Sequence, residues 1–253
     1  MPFDCRAVGY FVSKLSHINM ILSFGLCYLS DEDIDIIMKS LLNVRGTNVR
    51  ILFQFNGNRI THIGTASICK VIRLSSLMFG LNLKMNWIPP QTDISAALKS
   101  LTEALSRNMS VSYLNLEGNH ITSEHIHYLI LMLAFCKNLT SLQLRLNNIA
   151  SASFLLAASM EQNTSLTTLE LQGCCISDED LLMLGRSLQR NKTLETLDIC
   201  DNFFTPVALH LFLSLLREGS CIRKLTVSLS HNIDHHPWVS PEEDKCWKST
   251  SWS

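Results

Sequence analysis

One pattern constrains this chain more than any other: an apolar residue, any residue, a second apolar residue, two more positions, then Asn or Cys. It occurs as Leu22, Phe24, Cys27; Phe53, Phe55, Asn58; Leu81, Leu83, Asn86; and Leu114, Leu116, Asn119. It continues as Leu142, Leu144, Asn147; Leu169, Leu171, Cys174; and Leu197, Ile199, Asn202, with a degraded eighth copy at Leu225, Val227, Ser230. Counted from three residues before the first apolar position, the copies start at 19, 50, 78, 111, 139, 166, 194 and 222, a natural period of about 28. A unit this short cannot bury its apolar face alone, so successive units must stack and share one core.

Within a unit, the alternating apolar positions predict a short strand with one buried face, since successive side chains point to opposite sides. The remainder predicts a helix. LELQGCCISDEDL, residues 169–181, resembles a metal, redox or acid-base site until it is set beside LSFGLCYLSDEDI, residues 22–34, which repeats its layout. Ser177 and Ser30 are then N-caps, and Asp180 and Asp33 place negative charge in the first, electropositive turn of an exposed helix. Thr205 followed by Pro206 reads as another N-cap with proline at the first helical position. Ile34, Ile126, Leu181 and Leu209 align between copies, as do Ile37, Leu129, Leu184 and Phe212, and Leu41, Leu133, Leu188 and Leu216. Their spacing of three and four residues makes one buried stripe.

At the strand's end, an inward Asn satisfies backbone amides that would otherwise cost about 1 to 3 kcal/mol each; Cys174 and Cys27 are small apolar substitutes there. Asn108, Asn163, Asn191 and Gly219 stand three residues before a copy begins, where the left-handed conformation that ends a helix is expected. Asn108, Asn138, Asn163 and Asn191 also match the glycosylation acceptor pattern, but three of them fall on this turn, which argues against modification.

Units of about 28 residues, with Asn and Cys sharing a column and a full helix in each, resemble the ribonuclease-inhibitor-like class of leucine-rich repeat proteins. The resemblance implies an α/β solenoid of about seven to eight repeats: a right-handed horseshoe with a parallel sheet on the concave side and helices outside. It also implies protein binding across the concave face. The expected organisation is a partial repeat helix or flank at 1–18, the repeat domain at 19–232 and an irregular tail at 233–253. The 33-residue spacing from the third to the fourth copy adds PPQTD at 89–93, where Thr92 is expected to cap the next helix. Residues 7–18 read as the helix of a preceding unit without its strand, and the chain is expected to be a fragment, splice form or excised part of a longer array.

A net charge of -1 and a pI near 6.7 argue against a nucleic-acid binder, which would carry a basic stripe. The longest apolar run, YLILMLAF at 128–135, is far shorter than a membrane span. Nine cysteines without a CxxC pair or an apolar leader favour a reduced compartment, the cytosol first and the nucleus second. No phosphate-binding loop, GxSxG elbow or HExxH helix occurs, so no catalytic residue, cofactor or metal is assigned. His231, His235, His236 and Cys246 fit no standard zinc spacing. His120, His125 and His127 read as surface or edge residues.

Stacked strands would align Ser23, Gln54, Asn82, Asn115, Gln143, Glu170, Asp198 and Thr226 in one column. The next would hold Gly25, Asn56, Lys84, Glu117, Arg145, Gln172, Cys200 and Ser228. Glu170, Glu195, Asp198 and Asp201, with Glu117 further back and Arg145 interrupting, would form an acidic patch that speeds encounter with a basic protein surface. Tyr113 is the expected aromatic anchor. Met20, Ile21, Ile51, Leu52 and Phe79 are strand-edge apolar residues, read first as covered by a preceding element and second as a contact surface. The expected function is an intracellular protein-interaction module. The alternatives are an enzyme regulator of GTPase-activating or inhibitor type, or the ligand-sensing part of a larger nucleotide-binding receptor or ligase adaptor.

Overall fold

The computed structural model describes residues 5–44, 48–150 and 152–228. Eight strands form one sheet in chain order: β1 Asn19–Ser23, β2 Arg50–Gln54, β3 Met78–Asn82, β4 Tyr113–Asn115, β5 Ser141–Gln143, β6 Thr168–Glu170, β7 Thr196–Asp198 and β8 Lys224–Thr226. All neighbours are parallel, and Leu22, Phe53, Leu81, Leu114, Leu142, Leu169, Leu197 and Leu225 make one continuous row across them. The register slips only between β2 and β3, where Ile51 faces Met78 but Leu52 faces Gly80, leaving Phe79 as an extra residue.

Each crossover carries a helix: α2 Asp31–Leu41, α3 His62–Leu74, α4 Ile94–Leu105, α5 Ile126–Phe135, α6 Ser153–Gln162 and α7 Asp178–Arg190, with α8 Pro206–Arg217 leading into β8. A short α1, Ala7–Ser13, packs beside α2. The core is the layer between sheet and helices. There Leu114, Leu142, Leu169 and Leu197 meet Leu129, Leu184, Leu188 and Phe212, all buried. Each fully buried leucine contributes about 1.5 to 3 kcal/mol.

Polar groups inside this layer are accounted for by an asparagine ladder. Asn147 Oδ1 accepts the N–H groups of Asn119 and Ile121 at 3.1 and 2.9 Å, while its Nδ2 donates to Leu116 O and Leu144 O at 3.0 and 2.7 Å. Asn58 and Asn202 repeat the arrangement against Leu29 and Ile176. Each amide therefore closes its own turn and the turn of the unit before. Cys174 is buried and donates to Leu144 O at 3.2 Å, but Cys27 is exposed, so the expected inward substitution holds for one cysteine and fails for the other.

The turn after each strand passes through positive φ at one position in seven successive copies: Leu26, Gly57, Met85, Gly118, Leu146, Gly173 and Asp201, at 51° to 65°. Glycine alternates with a bulkier residue, and at two of the glycines the preceding unit's side chain lies over the backbone. A methyl group on Gly57 would lie 2.5 Å from Leu26 Cδ2, and one on Gly118 would lie 3.1 Å from Met85 Cγ.

Three local expectations need correction. Asn163 and Asn191 are extended, at φ -74° and -67°, instead of left-handed. With Asn108 they form a second buried ladder: their Nδ2 groups donate to Ile72 O, Leu133 O and Met160 O, each at 2.7 Å, one helix back. Amides held this way are unavailable for glycosylation. The α4 cap is Asp93, which accepts Ala96 N–H at 2.8 Å, while Thr92 is buried. Finally, Asp180 is buried instead of solvated, because its carboxylate turns back onto Ser177 in a capping box.

The other acid of that run reaches outward from its unit. Asp178 Oδ1 accepts Thr205 N–H at 2.6 Å and its Oδ2 accepts the Thr205 hydroxyl at 2.9 Å, so α7 helps to close the start of α8. Asp31 does the same for α3 through Thr61 N–H and Gly64 N–H, at 2.7 and 2.9 Å. The serine-acid run is thus half a cap for its own helix and half for the next.

Candidate functional site

On each strand the residues between the buried apolar positions face away from the helices. The register places Ser23, Gln54, Asn82, Asn115, Gln143, Glu170, Asp198 and Thr226 in one row, with Ile21, Leu52, Gly80, Tyr113, Ser141, Thr168, Thr196 and Lys224 beside it. Asn82, Asn115 and Asp198 also have local work: each side-chain oxygen accepts the N–H two residues on, at 2.8 to 3.0 Å, which shapes the turn.

The central strands carry a connected polar network. Tyr113 OH donates to Gln143 Oε1 at 3.0 Å, and Gln143 Nε2 donates to Glu170 Oε1 at 3.0 Å. Arg145 Nη1 lies 3.6 Å from Glu170 Oε2, and Lys84 Nζ lies 2.8 Å from Glu117 Oε1. Arg145 Nε is buried with no partner among the described residues. Burial raises the Tyr113 hydroxyl's pKa, and the charges of Glu170 and Glu117 add to the rise. Tyr113 is therefore a neutral hydrogen-bond donor fixed in place by Gln143.

The seven residues singled out from the sequence divide into three groups. Tyr113, Arg145 and Glu170 belong to the central network with Asp198 beside it, whereas Glu117, only 8% exposed, forms a separate pair with Lys84. Asp198 is adjacent to Glu170 in the register. Asp201 lies beyond the strand in the left-handed turn, where Gln172 Nε2 and Ser228 Oγ donate to it at 2.6 and 2.7 Å. Glu195 stands at the opposite strand end, three residues before Asp198, or roughly 10 Å away along a strand, and is 3.2 Å from Arg223. The carboxylates therefore do not converge on one point, and Glu117, Glu170 and Glu195 each face a cation. Gln143, absent from that set, completes the network and Lys84 pairs with Glu117; their signal was their place in the columns.

The apolar edge also resolves. Ile51 is fully buried core, Phe79 is half-buried beneath the Arg50 guanidinium at 5.4 Å, and Ile21 remains exposed on the sheet face. His125 closes a capping box with Thr122 and is half-buried, and burial lowers its pKa, so it is a structural imidazole rather than a surface one. No group of metal-ligating side chains occurs among the described residues, and the tail histidines lie outside them. No described helix is long and apolar enough to cross a membrane.

Three stretches, residues 107–124, 135–152 and 162–185, match the family model described as Leucine Rich repeat. They span β4, β5 and β6 with their turns and the first part of α7. The molecule is a leucine-rich repeat solenoid. Protein NLRC5 of Ictalurus punctatus is 18% identical over 152 residues, which cover 60% of this chain and 8% of that protein. The chain thus matches a small part of that relative's length. Among solved structures, the internalin C2 of Listeria monocytogenes is 19% identical and is covered over 84% of its chain and 79% of this one, with a TM-score of 0.44. Leiomodin-1 Actin-Binding Site 2 is 21% identical over 53% of this chain and 64% of its own, with a TM-score of 0.31.

Proposed function

We propose that this solenoid is a non-catalytic protein-binding module of a reduced intracellular compartment, cytosolic before nuclear, within the ribonuclease-inhibitor-like class. Its partner would be seated on the sheet face and carry a basic surface. The observation that carries this reading is the ordered row from Tyr113 through Gln143 to Glu170 and Asp198. These side chains are excluded from the core; Tyr113, Gln143 and Glu170 are fixed by bonds between units and Asp198 by the Cys200 N–H of its own turn, so docking them costs little conformational entropy. Glu170 and Asp198 are partly exposed neighbours that a cationic side chain can approach together. The full helix in every unit and the Asn/Cys column support the class.

A Glu170→Lys, Asp198→Lys double variant tests the reading. Capture of partners by the full chain is expected to fall at least about tenfold at low salt, by loss of about 1.4 kcal/mol or more, with a smaller difference at high salt, while the variant keeps a cooperative melt lowered only by the lost bonds to Cys200 N–H and Gln143. Equal capture by both forms at both salt concentrations would move the site off this face. A second reading, the sensing part of a larger receptor, draws on the similarity to Protein NLRC5. Intact-mass measurement of the endogenous product tests it.

A further inference from the structure

The edge of the solenoid where α3, α4 and α5 end carries side chains that neither the core nor the sheet face uses. Leu74 closes α3 and is 67% exposed, Phe135 closes α5 and is 57% exposed, and Met109, in the turn after α4, is 79% exposed. Neighbouring helices pack roughly 8 to 10 Å apart, so the three side chains follow one another over about 20 Å. The turn that carries Met109 is held on both sides. Asn108 Oδ1 accepts Ser110 N–H and Val111 N–H at 2.8 and 2.7 Å, and Asn138 Nδ2 of the next unit donates to Asn108 O at 3.2 Å and lies 3.0 Å from the Met109 sulfur.

Cations stand among these tips. Lys70 and Arg73 share the last turns of α3 with Leu74, Arg107 precedes Met109 by two residues, and Lys137 follows Phe135 by two. All four are exposed, and none forms an ion pair among the described residues. Across residues 70–76, 103–110 and 131–138, Glu103 is the one acid beside them, in a chain whose net charge is -1. Cations at helix ends complement the helix dipole. The dipole gives no reason for three large apolar side chains to stand in water between them.

An anionic membrane surface answers both features, since its headgroups attract Lys and Arg while its interface takes up apolar side chains. A peptide groove would shelter its apolar lining between walls, whereas these side chains project. A second copy of the chain would set the same positive charge against itself. We propose that this edge docks on anionic lipid, with Leu74, Met109 and Phe135 entering the interface and the four cations lying among the headgroups. The contact is peripheral and independent of the sheet-face reading.

Sedimentation of the full 253-residue chain with lipid vesicles at low salt tests it. Binding to phosphatidylcholine vesicles containing phosphatidylserine should exceed binding to phosphatidylcholine alone at least about tenfold and weaken as salt is added. The Arg107→Gln, Lys137→Gln double variant should lose about tenfold or more. An Arg59→Gln, Arg186→Gln variant, which removes the same charge from exposed sites elsewhere, should keep wild-type binding. Met109→Ser should also weaken binding, whereas Met109→Trp should retain it and shift its emission to the blue on the vesicles. The proposal is overturned if the chain stays in solution with phosphatidylserine vesicles, even if it then binds an acidic glutamate-leucine peptide, because the occupant would be a protein segment. Equal losses in the two charge variants would also overturn it, as would a dimer that only Met109→Ser breaks. Neither sheet-face variant, Glu170→Lys or Asp198→Lys, lies on this edge, so the two readings fail separately.

Discussion

Asn147 joins five backbone groups from two units with one amide. Replacing it with Leu keeps the volume but strands two buried N–H groups and Leu116 O, while Leu144 O keeps only the weak Cys174 thiol donor. At about 1 to 3 kcal/mol for each unsatisfied group, the loss should reach at least about 3 kcal/mol by urea denaturation, with little change at the sheet face. This role was legible in the sequence because only a side chain with both a donor and an acceptor fits a column flanked by buried leucines. The second ladder was not. Asn163 and Asn191 were read from the local preference of asparagine for left-handed turns, whereas their partners, Leu133 O and Met160 O, lie about one period away in sequence. A residue's preferences can be read from its neighbours in the chain, but a bond to the next layer appears only once the layers are stacked.

At the scale of elements, the helices are closed partly by their predecessors. Three acids open α7 in sequence, yet they do different work: Asp180 caps α7, Asp178 caps α8, and Glu179 is exposed. Asp178→Ala should therefore cost about 1 kcal/mol, the usual worth of a helix cap. Glu179→Ala should stay within about 0.5 kcal/mol, as for a surface substitution. Thermal melts of the two variants check the order, and equal losses would mean that the acids act only through the helix dipole. The sequence pointed to the cap of α7 because Ser177 and Asp180 are three residues apart. It gave no sign of the bond to Thr205, because no short motif spans a repeat.

Over the whole molecule, stability is a chain of nearest-neighbour terms, so its weakest junction sets where it opens first. The junction between the fifth and sixth units carries three local defects that bear on this. Ala152 gives α6 no side-chain cap, Ser153 Oγ is buried without a partner among the described residues, and a cavity of about 10 Å³ lies between α6 and α7. Cys174 also offers no acceptor to Ile149 N–H, which bonds to Asn147 O at 3.1 Å instead. Native-state hydrogen exchange should show α6 opening before α4 and α7, and Cys174→Asn should slow that exchange and add about 1 kcal/mol to stability. Faster exchange in α4 than in α6 would contradict it. The strand register was legible at this scale because the row from Leu22 to Leu225 follows from the period alone. The site was legible only as columns: which carboxylates meet a cation depends on side-chain reach across strands, and so Glu195 was grouped with acids at the far end of its strand.

The bonds from Asp31 to Thr61 and from Asp178 to Thr205 mean that the smallest transferable module is not one period of the sequence. A unit cut out at its strand would leave the accepting aspartate behind in one piece and the threonine that needs it in another. Recombinant arrays built from this chain should be spliced inside the helices, downstream of both partners, if each junction is to inherit a finished helix start.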